Sequence, residues 1–170
     1  MTKETQLIIK IAAHLLQFPD ETLLNSLWPL AQVIVKLPPD RPREVFAEFL
    51  HSLKHRSLIS WQEEYSRHFD LNPATCLNLT YHRYGDGKDR GAALAQLQQL
   101  YRQAGYEKTT TELPDFLPLV LEFLAICPPE DYAWLRGEYR PQIEALANRL
   151  QAAGAAYAGL LTVVADTLKD

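Results

Sequence analysis

Cysteine clusters, glycine repeats, long uncharged runs and a surplus of basic residues are all missing from this chain. Two Cys and seven Gly in 170 residues exclude a disulfide-stapled mini-domain and a collagen-like repeat. Neither Cys76 nor Cys127 sits in a CxxC or other ligand spacing. Both read as small buried hydrophobes, and nothing indicates a disulfide. The longest uncharged run near the end, 151–165, is shorter than the ~20 residues of a membrane span. Lys3, Glu4 and Lys10 interrupt any signal-type apolar core. The expected compartment is therefore cytoplasmic, with no direct membrane insertion. Seventeen Lys and Arg against 21 Asp and Glu leave a net charge of −4, so the basic excess of a nucleic-acid-binding module is lacking. No segment shows sustained period-two alternation, and no internal repeat or low-complexity tract is present.

What remains is 47% hydrophobic and 22% charged, too apolar for disorder and of a length that fits one core. The periodicity is helical. Leu7, Ile8, Ile11, Ala12, Leu15 and Leu16 share one helical face. Phe18-Pro19-Asp20 breaks that helix, and Asp20 can cap the next, through Leu23, Leu24, Leu27, Leu30 and Ile34, where Pro29 predicts a kink or a split. Val45, Phe46, Phe49, Leu50 and Leu53 form a third. Ser57 or Ser60 can cap a fourth carrying Trp61, Tyr65, His68 and Phe69. Leu77 and Tyr81 mark a short helix ending at Gly85. Leu94, Leu97, Leu100, Tyr101 and Ala104 mark another, with Gly105 as its C-cap. Leu113, Phe116, Leu117, Val120, Leu121 and Leu124 make the strongest apolar face. Pro128-Pro129 ends it, and two further helices run through Ile143–Leu150 and Tyr157–Leu168. The expected fold is all-α, one domain over residues 1–170 with about eight or nine helices.

Charge is uneven. Residues 1–85 balance, whereas 86–170 hold twelve acidic and eight basic side chains. Within 107–144 eight acids face only Lys108, Arg136 and Arg140, which would attract a cationic partner if the acids share a face.

Three patterns test for chemistry. Glu48-x-x-His51-x-x-x-His55 could bring a carboxylate and two imidazoles to one helix face, but a bundle metal site needs a second Glu-x-x-His, and none exists. A solvated polar face is the simpler reading, with no metal and no cofactor. Gly85-Asp86-Gly87-Lys88-Asp89-Arg90-Gly91 lacks the GxxxxGK[ST] spacing, and its acids would repel phosphate, so it reads as a turn between helices. No GxSxG or Cys/His motif supports nucleophilic catalysis, and the chain reads as not an enzyme. The stretch from Glu112 to Ala125 says more. Either Asp115 caps a helix with Pro118 at N3, or Pro114 is N1 and Pro118 bends it. Both place acids beside a wide apolar surface, which suits an amphipathic peptide bearing Lys or Arg.

Asp89-Arg90-Gly91, Leu97 and Tyr101 before Gly105, Glu112-Leu113-Pro114-Asp115, Leu117-Pro118-Leu119 and Leu121-Glu122-Phe123-Leu124-Ala125 together resemble the NarJ family, the nitrate reductase delta subunits, within the wider NarJ/TorD/DmsD group of molybdoenzyme chaperones. Tyr65-Ser66-Arg67-His68-Phe69-Asp70 is similar to that group's Tyr-x-x-Leu-Phe element, and Ala74-Thr75-Cys76-Leu77 to the Ala-Thr-Ser-Leu segment of NarJ proteins. Phe116 stands where the family commonly has His. The resemblance implies an all-α chaperone that is not an enzyme and does not remain in the finished complex. It would bind the amino-terminal peptide and apo form of the nitrate reductase catalytic subunit while iron–sulfur clusters and molybdenum cofactor are inserted. It extends the partner set to molybdenum cofactor biosynthesis proteins. Under it, Leu113, Phe116, Leu117 and Leu121 build a groove helix with some of them facing the core. Glu112, Asp115 and Glu122 rim the groove, with Glu112 and Asp115 either meeting client cations or capping the helix. Pro114 starts the segment, and Tyr65 and Phe69 line the facing wall. Arg90, between Asp89 and Gly91, pins the 85–91 loop to a carboxylate. The alternative is a helical interaction module for an unrelated partner or a different molybdoenzyme.

Overall fold

Helix α1 (Lys3–Leu15) buries Ile8, Ile9, Ile11, Ala12, Ala13 and Leu15. That is more than one face, and a helix apolar over so much of its circumference belongs inside the fold. The computed structural model describes residues 1–107 and 109–169; Lys108, counted above among the few bases of its region, lies outside them. α1 packs on α7 (Leu117–Leu124) and α9 (Ala158–Thr167). Seven of the eight residues of α7 are buried. α8 (Pro129–Ala152) lies along α9, and α3 (Arg41–Leu53) crosses its other side. The α3 crossing is close: a Cβ on Gly159 would sit 3.0 Å from Val45 Cγ1.

The outer elements are α2 (Glu21–Ile34), α4 (Leu58–Tyr65), α5 (Leu79–Tyr84) and α6 (Lys88–Gln103). Asp20 and Ser57 cap α2 and α4, accepting from Leu23 N–H at 2.7 Å and Ser60 N–H at 3.1 Å. α4 passes directly into a π-helical turn, Ser66–Asp70, closed by Leu71 N–H donating to Ser66 O at 2.9 Å. Tyr65 and Phe69, four residues apart, are both buried. α6 ends as expected: Gly105 adopts φ +68°, and Tyr106 N–H donates to Tyr101 O at 2.8 Å, a Schellman closure.

Among the described residues there are nine α-helices, the π turn and no strand, only a bridge between Asn78 and Phe116. The all-α expectation holds, and no described helix is long and apolar enough to cross a membrane. Three details differ from the sequence reading. α2 is not split at Pro29: the ring is exposed, and so is Asn25, whose carbonyl loses its partner there. α8 starts at Pro129, well before Ile143, because Leu135 and Tyr139 are its only buried side chains before Pro141 and leave a weak periodic signal. Cys76 and Cys127 are free but only half-buried.

Two half-buried imidazoles tie outer helices down. Ser26 Oγ donates to Leu23 O at 2.7 Å, so His14 Nε2 must donate to Ser26 Oγ, at 2.6 Å. His82 donates from Nε2 to Cys76 O at 2.7 Å and accepts at Nδ1 from Arg149 at 3.1 Å. Arginine has no acceptor, so His82 is neutral in this arrangement. Burial lowers the pKa of both rings. An unfolded chain then binds more protons below about pH 6.5 than the folded one, so this stability is present above that pH and lost as pH falls through the lowered values. The urea midpoint is expected to fall between pH 7.5 and pH 5.5, and a His14→Gln/His82→Gln variant is expected to show a smaller fall. Equal midpoints at both pH values for the parent protein would contradict this.

Candidate functional site

The segment preceding α7 is a turn rather than a helix. Phe116 is the N-cap residue, with extended backbone (φ −61°, ψ 119°) and no side-chain cap, and Pro118 falls within the first helical turn. Neither helix start considered from the sequence is therefore adopted. The reason is a competing set of bonds to the 77–80 segment. Leu117 N–H donates to Leu77 O at 2.8 Å, and Leu79 N–H donates to Asp115 O at 3.1 Å. Tyr101 OH donates to Pro114 O at 2.7 Å.

Asp115 is 0% exposed. Its carboxylate accepts from Asn78 Nδ2 at 3.0 Å, Thr80 N–H at 3.1 Å and Thr80 Oγ1 at 2.5 Å. Arg90 stands 3.8 Å away and also donates from Nε to Thr80 Oγ1 at 3.3 Å. Asp115 therefore caps α5 from across the fold, and the reading of it as a rim acid or as the cap of α7 is corrected: a carboxylate this deep must be satisfied internally. Pro114, Leu117 and Leu121 are also buried, so they support the site from within and offer no surface to a partner. Arg90 lies 3.7 Å from Asp86, with its guanidinium over the Tyr81 ring. Asp89 is exposed in the first turn of α6, and a Cβ on Gly91 would meet nothing, so packing does not require glycine there.

What the turn presents outward is Phe116, half-buried, with Glu112 and Leu113 exposed beside it. Two open hollows of about 280 and 300 Å³ meet at Phe18, Glu112 and Phe116, which line both. The first is completed by Gln17, Asp20, Tyr106, Glu107, Pro118, Leu119 and Glu122, among others. The second is floored by Tyr65, Phe69 and Leu77, with Asp70 and Asn78 at its edge. Tyr65 is pinned by its hydroxyl, donating to Leu16 O at 3.1 Å, and Phe18 stacks edge-on against its ring at 5.4 Å. Leu113 lines neither hollow.

The charges have one sign. Asp20, Asp70, Glu107, Glu112 and Glu122 line the hollows, and no Lys, Arg or His does so among the described residues. Glu122 is oriented by two neutral donors, Gln17 Nε2 at 2.9 Å and Tyr106 OH at 3.1 Å. Burial, with the Glu122 charge added, pushes the Tyr106 hydroxyl up to about 12, so it stays a donor. The Schellman closure of α6 is what delivers Tyr106 to this position.

Phe18, Asp20, Asp70, Tyr106 and Glu107 were not among the sequence candidates. Phe18 carried a usable signal, being an aromatic residue in a turn outside the α1 stripe. Asp20, Asp70 and the Tyr106-Glu107 pair lie far apart in sequence and meet only through the fold. Glu48, His51 and His55 are exposed, and His55 lies beyond the end of α3; no metal-ligand group occurs among the described residues.

Comparison with known proteins gives the family. The family model for the nitrate reductase delta subunit matches residues 37–163. The chain belongs to the nitrate reductase delta subunit family. It is 31% identical over 169 residues to the probable nitrate reductase molybdenum cofactor assembly chaperone NarJ of Bacillus subtilis, covering 99% of this chain and 92% of that one. It is 33% identical over 165 residues to the NarJ chaperone of Escherichia coli, covering 94% and 70%. The probable chaperone NarW of Escherichia coli is 32% identical over 124 residues, covering 72% and 51%. The delta subunit family is one of cofactor assembly chaperones, not of catalytic enzymes.

The buried carboxylate sets a test of how the turn is held. Asp115→Ala would take the acceptor from Asn78 Nδ2 and both Thr80 donors and remove the anion beside Arg90, and is expected to cost roughly 3 kcal/mol of stability. Asp115→Asn, which keeps an acceptor oxygen, is expected to cost less. Urea unfolding followed by far-ultraviolet circular dichroism measures both, and an Asp115→Ala protein as stable as the parent would refute the internal role.

Proposed function

We propose that this chain is a system-specific chaperone for maturation of a respiratory nitrate reductase. It binds the amino-terminal segment and apo form of the catalytic subunit, holds them for iron–sulfur and molybdenum cofactor insertion before membrane docking, and leaves the finished enzyme. Family membership supports the chaperone role. The observation that carries the binding mode is the paired hollow, where aromatic and aliphatic side chains lie beside charged groups that are all carboxylates among the described residues.

The chemistry suits a short apolar segment with basic side chains. Phe18 and Phe116 offer partly exposed rings whose burial would supply affinity. The acids steer and orient a cationic segment more than they add affinity. Their attraction weakens with salt, because exposed charges are screened over about 8 Å at physiological ionic strength. Reversible release follows from the small size of the contact, with no covalent step.

Calorimetry with a synthetic peptide copying the start of a nitrate reductase catalytic subunit tests this. Binding is expected, weakening as salt rises or as pH falls into the carboxylate range. Phe116→Ala is expected to weaken it about tenfold, and Glu107→Gln/Glu112→Gln to weaken it and flatten the salt dependence. No heat with the peptide, together with failure of the apo-subunit to co-purify, would overturn the proposal.

A further inference from the structure

Helix α2 carries two apolar stripes, and only one of them is used inside the protein. Leu23 and Ile34 are its buried residues, with Leu27 and Leu30 packed against the core between them. Leu24, Trp28, Ala31 and Val35 form the second stripe, about 100° around the helix. Leu24 is 40% exposed, Trp28 74% and Val35 60%. Their 4-3-4 spacing puts them on one helix face. Glu21 is the only charged residue of α2.

From this we infer that the outer stripe of α2 is a second docking surface of the chaperone, which holds an uncharged apolar segment of the same client polypeptide whose amino terminus lies in the cleft. This rests on the function proposed above. Three observations choose the occupant. The stripe begins one helical turn beyond Asp20, which lines the cleft and caps α2, so a single client chain can reach both surfaces. The near absence of charge on α2 selects an apolar segment, not the basic one suited to the carboxylate-lined hollows. The stripe measures roughly 17 by 10 Å, far below the ~800 Å² that each partner brings to a stable interface, which argues against a second copy of this chain held by this stripe alone. A weak patch becomes effective when another contact tethers the same ligand, because the second binding step is then intramolecular. Such a surface would cover an apolar part of the immature subunit and lose its ligand when folding buries that part.

The test compares two probes: the amino-terminal peptide, and the whole catalytic subunit prepared without its cofactors. The variant is Leu24→Gln/Trp28→Gln/Val35→Gln, whose exposed positions leave the fold intact, as circular dichroism and urea unfolding would check. Peptide affinity is expected to stay within about twofold, while affinity for the apo-subunit falls about tenfold or more. In the parent protein, Trp28 fluorescence is expected to shift to shorter wavelength with the apo-subunit and not with the peptide. Unchanged affinity for the apo-subunit would overturn the inference and leave the cleft proposal standing. If the parent protein binds neither probe, the cleft proposal fails and this one fails with it. A free chain that sediments as a dimer, and as a monomer once the stripe is substituted, would assign the face to a second copy and likewise overturn it.

Discussion

A single buried carboxylate organises the functional end of this protein. Taking Asp115 out of water is costly unless every lone pair finds a donor, and the donors come from elsewhere in the chain: Asn78 before α5, Thr80 within it, and Arg90 in α6. Because those donors lie on different elements, satisfying the charge brings the turn before α7, the start of α5 and the first turn of α6 to one place. The backbone bonds between the 77–79 and 115–117 segments complete the clamp. Phe116 then projects from a turn that is held on both sides. In the proposed binding, a residue held this way would lose little entropy when a ligand arrives.

Aromatic packing does the corresponding work on the opposite wall. Tyr65, Phe69 and Tyr157 meet edge to face, with ring centres 4.8–5.9 Å apart, and Phe18 joins them through Tyr65. Their polar ends are satisfied without water: Trp61 donates to Tyr157 OH at 2.6 Å, and Tyr65 to Leu16 O. Tyr65 and Phe69, four residues apart, enter this cluster from one side of the chain. The cleft thus has a rigid aromatic base, while its acids, apart from Glu122, stand on turns and loop ends. In the proposed binding, rigid apolar contacts would supply affinity and solvated charges direction, a division suited to a temporary contact.

Much of the fold was legible because helices announce themselves locally. The 3–4 spacing through Leu7–Leu16, Val45–Leu53 and Leu94–Tyr101 marks α1, α3 and α6, and Asp20, Ser57 and Gly105 mark boundaries by their own chemistry. Legibility failed where local signals conflicted with distant partners. The run from Leu113 looks helical, yet its first residues form a turn because Leu77 and Leu79 compete for its backbone. Asp115 looks like a helix cap or a surface acid, and it caps a helix, though not the one that follows it. The first half of α8 carries a weak periodic signal because Leu135 and Tyr139 are its only buried anchors before Pro141.

The order of residues by itself determined that this is a helical protein, that its acids concentrate in the second half, and that the proline-punctuated stretch 112–125 is where the two properties meet. Those are properties of neighbours along the chain, which periodicity and composition record directly. Only the tertiary structure decided which acids face the cleft, that Asp115 is withdrawn from it, and that Phe18, Asp70 and Tyr106 belong to it. The reason is physical: burial and charge pairing depend on distance in space, and the residues that satisfy Asp115 or line the hollows are separated by tens of positions in sequence.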